Sequence, residues 1–254
     1  MSGSISILRS LLAAIAPGCP MLPEKSGIPG SGIPGCCAPT ACVPAGAEHG
    51  PSPAPDSAIL QRKTEFFDGW APHYDCLLTT VFYQAIHQRL IQCLAAPPQS
   101  PVLDLGCGTG RLLLRLGREF PALTGVGLDL SSAMVAQAQA LHRGDDRVQF
   151  CTGEATAIPF AEGHFGAVFN TFSFLHYAEP EAVLGEVSRV LRSGGYFYLV
   201  DPMVGSLGFV PFSPNGIRFY DRAQRQSLGA AAGLQCLGHV PLLSNAWLTI
   251  FTKG

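Results

Sequence analysis

Residues 102–110, Val-Leu-Asp-Leu-Gly-Cys-Gly-Thr-Gly, constrain this chain more than any other segment. A short apolar run of β type ends in glycines at 106, 108 and 110, and a helix-forming stretch, Arg111–Phe120, follows at once. Glycine lets the backbone turn tightly and brings it against a ligand with no Cβ between them. The helix that follows aims the positive end of its dipole at whatever lies over the turn. Strand, glycine turn and helix in this order form the core of nucleotide-type sites in doubly wound α/β folds.

The spacing excludes the usual dinucleotide fingerprint. G-x-G-x-x-G needs a third glycine at 111, where this chain has Arg111. The pattern is instead G-x-G-x-G, with Asp104 in the strand before it. A second apolar run, Leu123–Leu130, carries Asp129 near its end, 19 residues beyond Gly110, where a carboxylate accepts hydrogen bonds from ribose hydroxyls. Asp104 would repel a pyrophosphate but attract a sulfonium and an α-amino group. The charges therefore suit a cationic adenosine cofactor.

With these residues in place, the chain from about 63 to 254 resembles the class I S-adenosylmethionine-dependent methyltransferases, in their small-molecule branch. Residues 102–110 are similar to that family's first motif and Gly127-Leu-Asp-Leu-Ser-Ser-Ala-Met134 to its second. Gly153-Glu-Ala-Thr-Ala-Ile-Pro-Phe160 resembles the adenine-binding motif, and Leu191-Arg-Ser-Gly-Gly195 the loop before the fifth strand. Phe66-Phe-Asp-Gly-Trp-Ala-Pro-His-Tyr-Asp75 resembles the segment that precedes the core and folds over the cofactor.

The remainder of the chain alternates between the two periodicities. Strands are expected at 101–106, 123–129, 148–152, 166–171 and 196–201, and helices near 78–94, 110–119, 131–142, 180–192 and 219–232. Ser131 is suited to cap the 131–142 helix, Pro180 to open the next, and Gly194-Gly195 to end it. Two last strands, near 234–242 and 245–252, form a hairpin around Ser244-Asn245. The expected fold is a Rossmann-like, doubly wound, seven-stranded α/β sheet with a C-terminal antiparallel hairpin. A reductase of this class would alternate strand and helix again at that point.

The resemblance implies a site, position by position. Gly106, Gly108 and Gly110 lie under the methionine part of S-adenosyl-L-methionine, Asp104 attracts its amino group and Asp129 holds the ribose. Leu130 and Met134 enclose the adenine, Glu154 accepts from its amino group, and the Ala155 amide donates to a ring nitrogen. Asn170 ends the fourth strand beside the methionine amino group. Tyr74 offers its ring or hydroxyl to the cofactor, whereas Trp70 is assigned to core packing. His176, just beyond the fourth strand, is the candidate general base, with Tyr74 as its partner in a latch. Methyl transfer needs a base only when the acceptor must lose a proton. The alternative for His176 is a loop cap.

Composition narrows the partners. Formal net charge is −2 and 13% of residues are charged, which gives no broad basic face for nucleic acid. No apolar run approaches the ~18–20 residues of a membrane span, so stable insertion is not expected. Residues 58–254 are read as the methyltransferase domain and 1–57 as a disordered tail, since the tail holds 10 of 21 prolines and five charged residues. Cys19, Cys36, Cys37 and Cys42 in the tail lack the spacing of a metal site, so no metal is expected. The odd cysteine count in the folded part fits a cytoplasmic protein. The apolar segment Met203–Ile217 suggests a small or partly apolar acceptor, with Arg218 and Arg222 read as solvated helix charges or anchors for an acidic one. A non-catalytic, cofactor-binding regulator on the same fold is the alternative function.

Overall fold

The protein is described by a computed structural model that covers residues 57–75, 77–98, 101–203, 209–210, 216–243 and 245–254. Expectations for residues 1–56, including the tail cysteines, and for most of Met203–Ile217 lie outside the described residues.

Two helices precede the sheet, α1 (Ser57–Tyr74) and α2 (Leu77–Gln92). The Rossmann-like order follows as β1 (Val102–Leu105), α3 (Arg111–Glu119), β2 (Gly125–Asp129), α4 (Ser132–Leu141), β3 (Val148–Thr152) and β4 (Phe165–Thr171). A single 3-10 turn, Phe174–His176, leads to α5 (Pro180–Val190) and β5 (Leu191–Pro202). A two-stranded ribbon, β6 (Phe209–Val210) with β7 (Ile217–Arg218), then precedes α6 (Arg222–Ala231) and the hairpin β8 (Leu234–Leu243) and β9 (Ala246–Lys253).

The main sheet has seven strands in the order β3-β2-β1-β4-β5-β9-β8. The pairs within β1–β5 are parallel, and β9 runs antiparallel to β5 and to β8. Strand order reverses between β1 and β4, and the crevice at the carboxyl ends of these strands is where ligands of open α/β sheets bind.

Alternation along the strands sorts the core onto two faces. Val102, Phe169 and Tyr198 pack with Leu112, Leu113 and Leu116 of α3 and with Ile86 and Leu90 of α2. Leu103, Val168 and Phe197 pack on the other face with Val183, Leu184 and Val187 of α5. Truncating a fully buried leucine such as Leu113 to alanine costs roughly 2–5 kcal/mol.

Local signals are met where a side chain satisfies a helix end. Ser131 caps α4, its hydroxyl accepting from Met134 N at 3.1 Å, and Pro180 opens α5. Gly194-Gly195 do not end α5: the helix stops at Val190 and the strand begins at Leu191, so the glycines lie within β5. The register slips between Phe165 and Ala167 on the neighbouring strand, and Gly194, at φ +73°, absorbs the extra residues as a bulge. Among the described residues, no helix is long and apolar enough to cross a membrane.

Candidate functional site

The turn after β1 takes its shape from its glycines. Gly106 has φ +72°, and a Cβ there would meet Ser173 Oγ at 2.4 Å. Ser173 is held in that place because its hydroxyl donates to Leu105 O at 3.1 Å. The backbone amides of Gly106 and Cys107 donate to Leu128 O at 2.7 and 3.1 Å, which binds the turn to the end of β2.

Asp129 ends β2 at the rim of a cavity of about 560 Å³. Its Oδ2 accepts from Gly108 N at 2.8 Å and its Oδ1 from Ser131 N at 2.9 Å. A carboxylate accepts about four hydrogen bonds, so capacity remains for a ligand. Burial raises the Asp129 pKa, and the amides of Ser131, Gly108 and Leu130 oppose that rise by favouring the anion.

Lining residues of this cavity include Tyr74, Gly106, Gly108, Asp129, Leu130, Met134, Glu154, Ala155 and His176. These residues come from α1, the β1 and β2 ends, α4, the turn after β3 and the 3-10 turn after β4. The fold thus brings together nine of the twelve residues singled out in the sequence. Asp104, Gly110 and Asn170 are placed differently.

Asp104 is buried and borders a smaller adjoining cavity with Tyr74, Gly106 and Thr109. Burial, reinforced by Asp129, pushes its pKa up to about 8. Gly110 sits against Phe150 and Ala138: a Cβ there would lie 2.8 Å from the Phe150 ring. Asn170 spends its side chain inside the protein. Its Nδ2 donates to Leu105 O at 3.0 Å and to Tyr177 Oη at 3.1 Å, and its Oδ1 accepts from Phe174 N at 3.0 Å.

The roof of the cavity is α1. Ile59, Leu60, Lys63, Phe66, Phe67, Trp70 and Tyr74 recur at helical spacing and line it. Trp70, assigned to the core from sequence, instead lines the cavity and meets Tyr74 edge to face at 4.9 Å between centroids. Tyr74 lies 3.5 Å from where a Gly108 Cβ would stand and stacks on Tyr83 at 5.7 Å. Burial and the neighbouring Tyr83 raise its pKa well above the ordinary tyrosine value, so its hydroxyl stays protonated.

His176 packs edge-on against Phe67 at 5.4 Å, and its buried Nδ1 has no hydrogen-bond partner among the described residues. Burial and the nearby Lys63 cation depress its pKa to about 3, so the imidazole is neutral at pH 7. Tyr74 and His176 line one cavity but pack against different neighbours, Tyr83 and Phe67.

Lys63 was not singled out in the sequence. It is 7% exposed, and its ammonium donates to the His176 carbonyl oxygen. A lone lysine in an aromatic segment carries no spacing signal, and only the docking of α1 gives it a role. Arg111, which stands where a dinucleotide fold needs glycine, pairs with Asp75 at 3.0 Å beside the roof helix.

The glycine cradle, a strand-end carboxylate with unused acceptors and an aromatic roof fit a ribose-bearing cationic cofactor. Comparison with known proteins agrees. Residues 102–195 match the family model described as a methyltransferase domain. The chain is 34% identical to a demethylmenaquinone methyltransferase of Thermus thermophilus, over 57% of this chain and 69% of that protein. It is 30% identical to a malonyl-[acyl-carrier protein] O-methyltransferase of Herminiimonas arsenicoxydans, over 72% of this chain and 69% of the relative. Several further relatives match over 36–50% of their own length. A crystal structure of a SAM-dependent methyltransferase from Aquifex aeolicus superposes with a TM-score of 0.56 at 20% identity, covering 66% of this chain and 89% of that one, and so shares the fold. This chain belongs to the class I S-adenosylmethionine-dependent methyltransferases.

Proposed function

We propose that residues 58–254 form the catalytic unit and transfer a methyl group from S-adenosylmethionine to a small acceptor with an apolar body. The observation that carries this reading is the single cavity shared by the glycine turn, Asp129 and the aromatic face of α1. When bound, the cofactor supplies an electrophilic methyl on a sulfonium.

In this reading the chain holds the cofactor along the ends of β1 and β2. Asp129 accepts from the ribose, Leu130 and Met134 flank the adenine, and Glu154 and the Ala155 amide meet its polar edge. Gly106 and Gly108 let the backbone approach the methionine part, and Gly110 keeps the turn packed on Phe150. Asp104, protonated at pH 7 in the unliganded protein, is assigned to the α-amino group and ionises when that cation binds beside it, and Asn170 holds the turn's shape through Leu105. Tyr74 closes over the glycine turn.

The acceptor lies under Phe66, Phe67 and Trp70 beside His176. These rings exclude water, and holding the acceptor in line supplies much of the rate. His176, neutral at pH 7, offers an imidazole nitrogen to the acceptor, and with a pKa of about 3 it is a weak base. The reading includes a cytoplasmic setting; among the described residues, Cys93, Cys107 and Cys236 are not joined in disulfides.

Transfer of tritiated methyl from S-adenosylmethionine to small apolar acids, phenols and amines tests the assignment. Label on a small product supports it, and binding of the cofactor with no transfer to any small acceptor overturns it. Removal of residues 1–57 is expected to leave transfer unchanged, which tests the domain boundary.

A further inference from the structure

The apolar cavity contains a cation, Lys63, that forms no ion pair with the carboxylates also lining it, Asp129, Glu154 and Glu179. Lys63 projects from α1 among Leu60, Phe66 and Phe67, is nearly inaccessible, and forms no ion pair among the described residues. Among the described residues its one hydrogen bond runs to the His176 carbonyl oxygen, and an ammonium has three donors. Two donors therefore remain in a place where water is scarce. A buried charge without a counter-ion is costly, and proteins ordinarily pair or neutralise it.

The surroundings worsen that isolation. Arg218 follows the cavity residue Ile217 on β7 and adds a second positive charge close enough to oppose protonation of Lys63. Burial is the larger cause of the lowered Lys63 pKa, and Arg218 adds to it. His176 contributes a third feature: its Nδ1 is buried and unpartnered beside Lys63. In the tautomer that carries hydrogen on Nδ1, it is a further donor.

We infer that this end of the cavity is an anion subsite, and that the methyl acceptor is an apolar acid whose carboxylate is held by Lys63 and His176 under the positive field of Arg218. The inference rests on the transferase reading above and names its substrate class. A carboxylate accepts from both donors and supplies the missing negative charge. An apolar tail then lies along Phe66, Phe67 and Trp70. In this arrangement the neutral imidazole binds the acceptor through Nδ1–H and need not remove a proton.

The test is calorimetry on the full chain saturated with S-adenosylhomocysteine, with octanoate and octan-1-ol as matched probes. Octanoate is expected to bind at least about tenfold more tightly than the alcohol, as charge-assisted hydrogen bonds would give. Lys63→Met is expected to abolish that preference and Lys63→Arg to retain it, with octan-1-ol binding showing that each variant keeps its cavity. Arg218→Gln, at an exposed position, is expected to weaken octanoate severalfold and leave the alcohol unchanged. Equal binding of acid and alcohol by the parent, or a preference that survives Lys63→Met, overturns the anion subsite. Failure of S-adenosylhomocysteine to bind at all overturns the transferase reading instead.

Discussion

Asp68 Oδ1 accepts the hydroxyl hydrogen of Ser131 and also the backbone N–H of Ala133 at 3.2 Å, which joins the roof helix to the first turn of α4. Ser131 in turn accepts from Met134 N, so one serine both caps α4 and anchors α1. The negative charge of Asp68 also lies at the positive end of α4. The roof is thus fixed to the strand end that carries Asp129.

Replacing Asp68 by alanine is expected to loosen α1 and leave the sheet intact. Loss of a charge-assisted contact of about 1–2 kcal/mol corresponds to a roughly 5–30-fold weaker cofactor affinity if closure and binding are coupled. Hydrogen exchange should show faster exchange in 57–75 with the β1–β5 amides unchanged. Equal protection of α1 in the two proteins would mean that Phe67 and Trp70 hold the roof without it.

Asp129→Ala is expected to cost about 1.5–3 kcal/mol of S-adenosylmethionine affinity, because its remaining acceptors are assigned to the ribose. The Gly108 and Ser131 amides also lose their partner, so some loss of thermal stability should accompany it. Calorimetry of the purified variant separates the two effects: unchanged affinity would remove Asp129 from the cofactor site.

Asp104 gives stability a pH dependence of unusual sign. Its folded pKa of about 8 lies above the ordinary aspartate value of 3.8, chiefly through burial. The folded state therefore binds more protons than the unfolded state between those values, and stability falls as pH rises from about 4 to about 8. Asp104→Asn should flatten that decline, with a Tm gain over the parent that is larger at pH 8 than at pH 6. A gain independent of pH would show that Asp104 titrates elsewhere.

The pH dependence of kcat/KM tests His176. That profile reports groups of the free enzyme, and His176 titrates near pH 3 there because it is buried beside Lys63. No histidine limb is expected between pH 6 and 8. Lys63→Met removes the cationic neighbour and should raise the His176 pKa while burial keeps it below 6.5; an NMR titration of the imidazole measures it. A limb near 6.5 in the parent would show that His176 is exposed during turnover.

Much of the architecture was legible because its signals are local. Val102–Gly110 reads as strand and turn from β-type residues followed by glycines, and Gly106 must be glycine at φ +72° with Ser173 beside it. Ser131 reads as a cap because a hydroxyl there answers the first free amides of α4. The hairpin of β8 and β9 follows from two apolar runs too close together for a crossover helix.

Other features depend on which elements meet in space. Gly194-Gly195 look like a helix stop, but pairing of β5 with β4 draws them into a bulge. Arg225 of α6, which carries no signal in the sequence, is 1% exposed and donates to the carbonyls of Asp201, Pro202 and Trp247 at 3.1–3.2 Å. The low His176 pKa comes chiefly from its burial and secondly from Lys63, 113 residues away in the chain. Sequence by itself determined the order of β1–β5, α2–α6 and the β8–β9 hairpin, the glycine turn and the acid at the end of β2, since each follows from propensity and spacing over a few residues, whereas helix α1 and the β6–β7 ribbon were not read from it. The tertiary structure alone decided that Lys63 and His176 share one end of an apolar cavity with the charge of Arg218 near Lys63, because desolvation and unpaired charge arise only when distant segments are packed together.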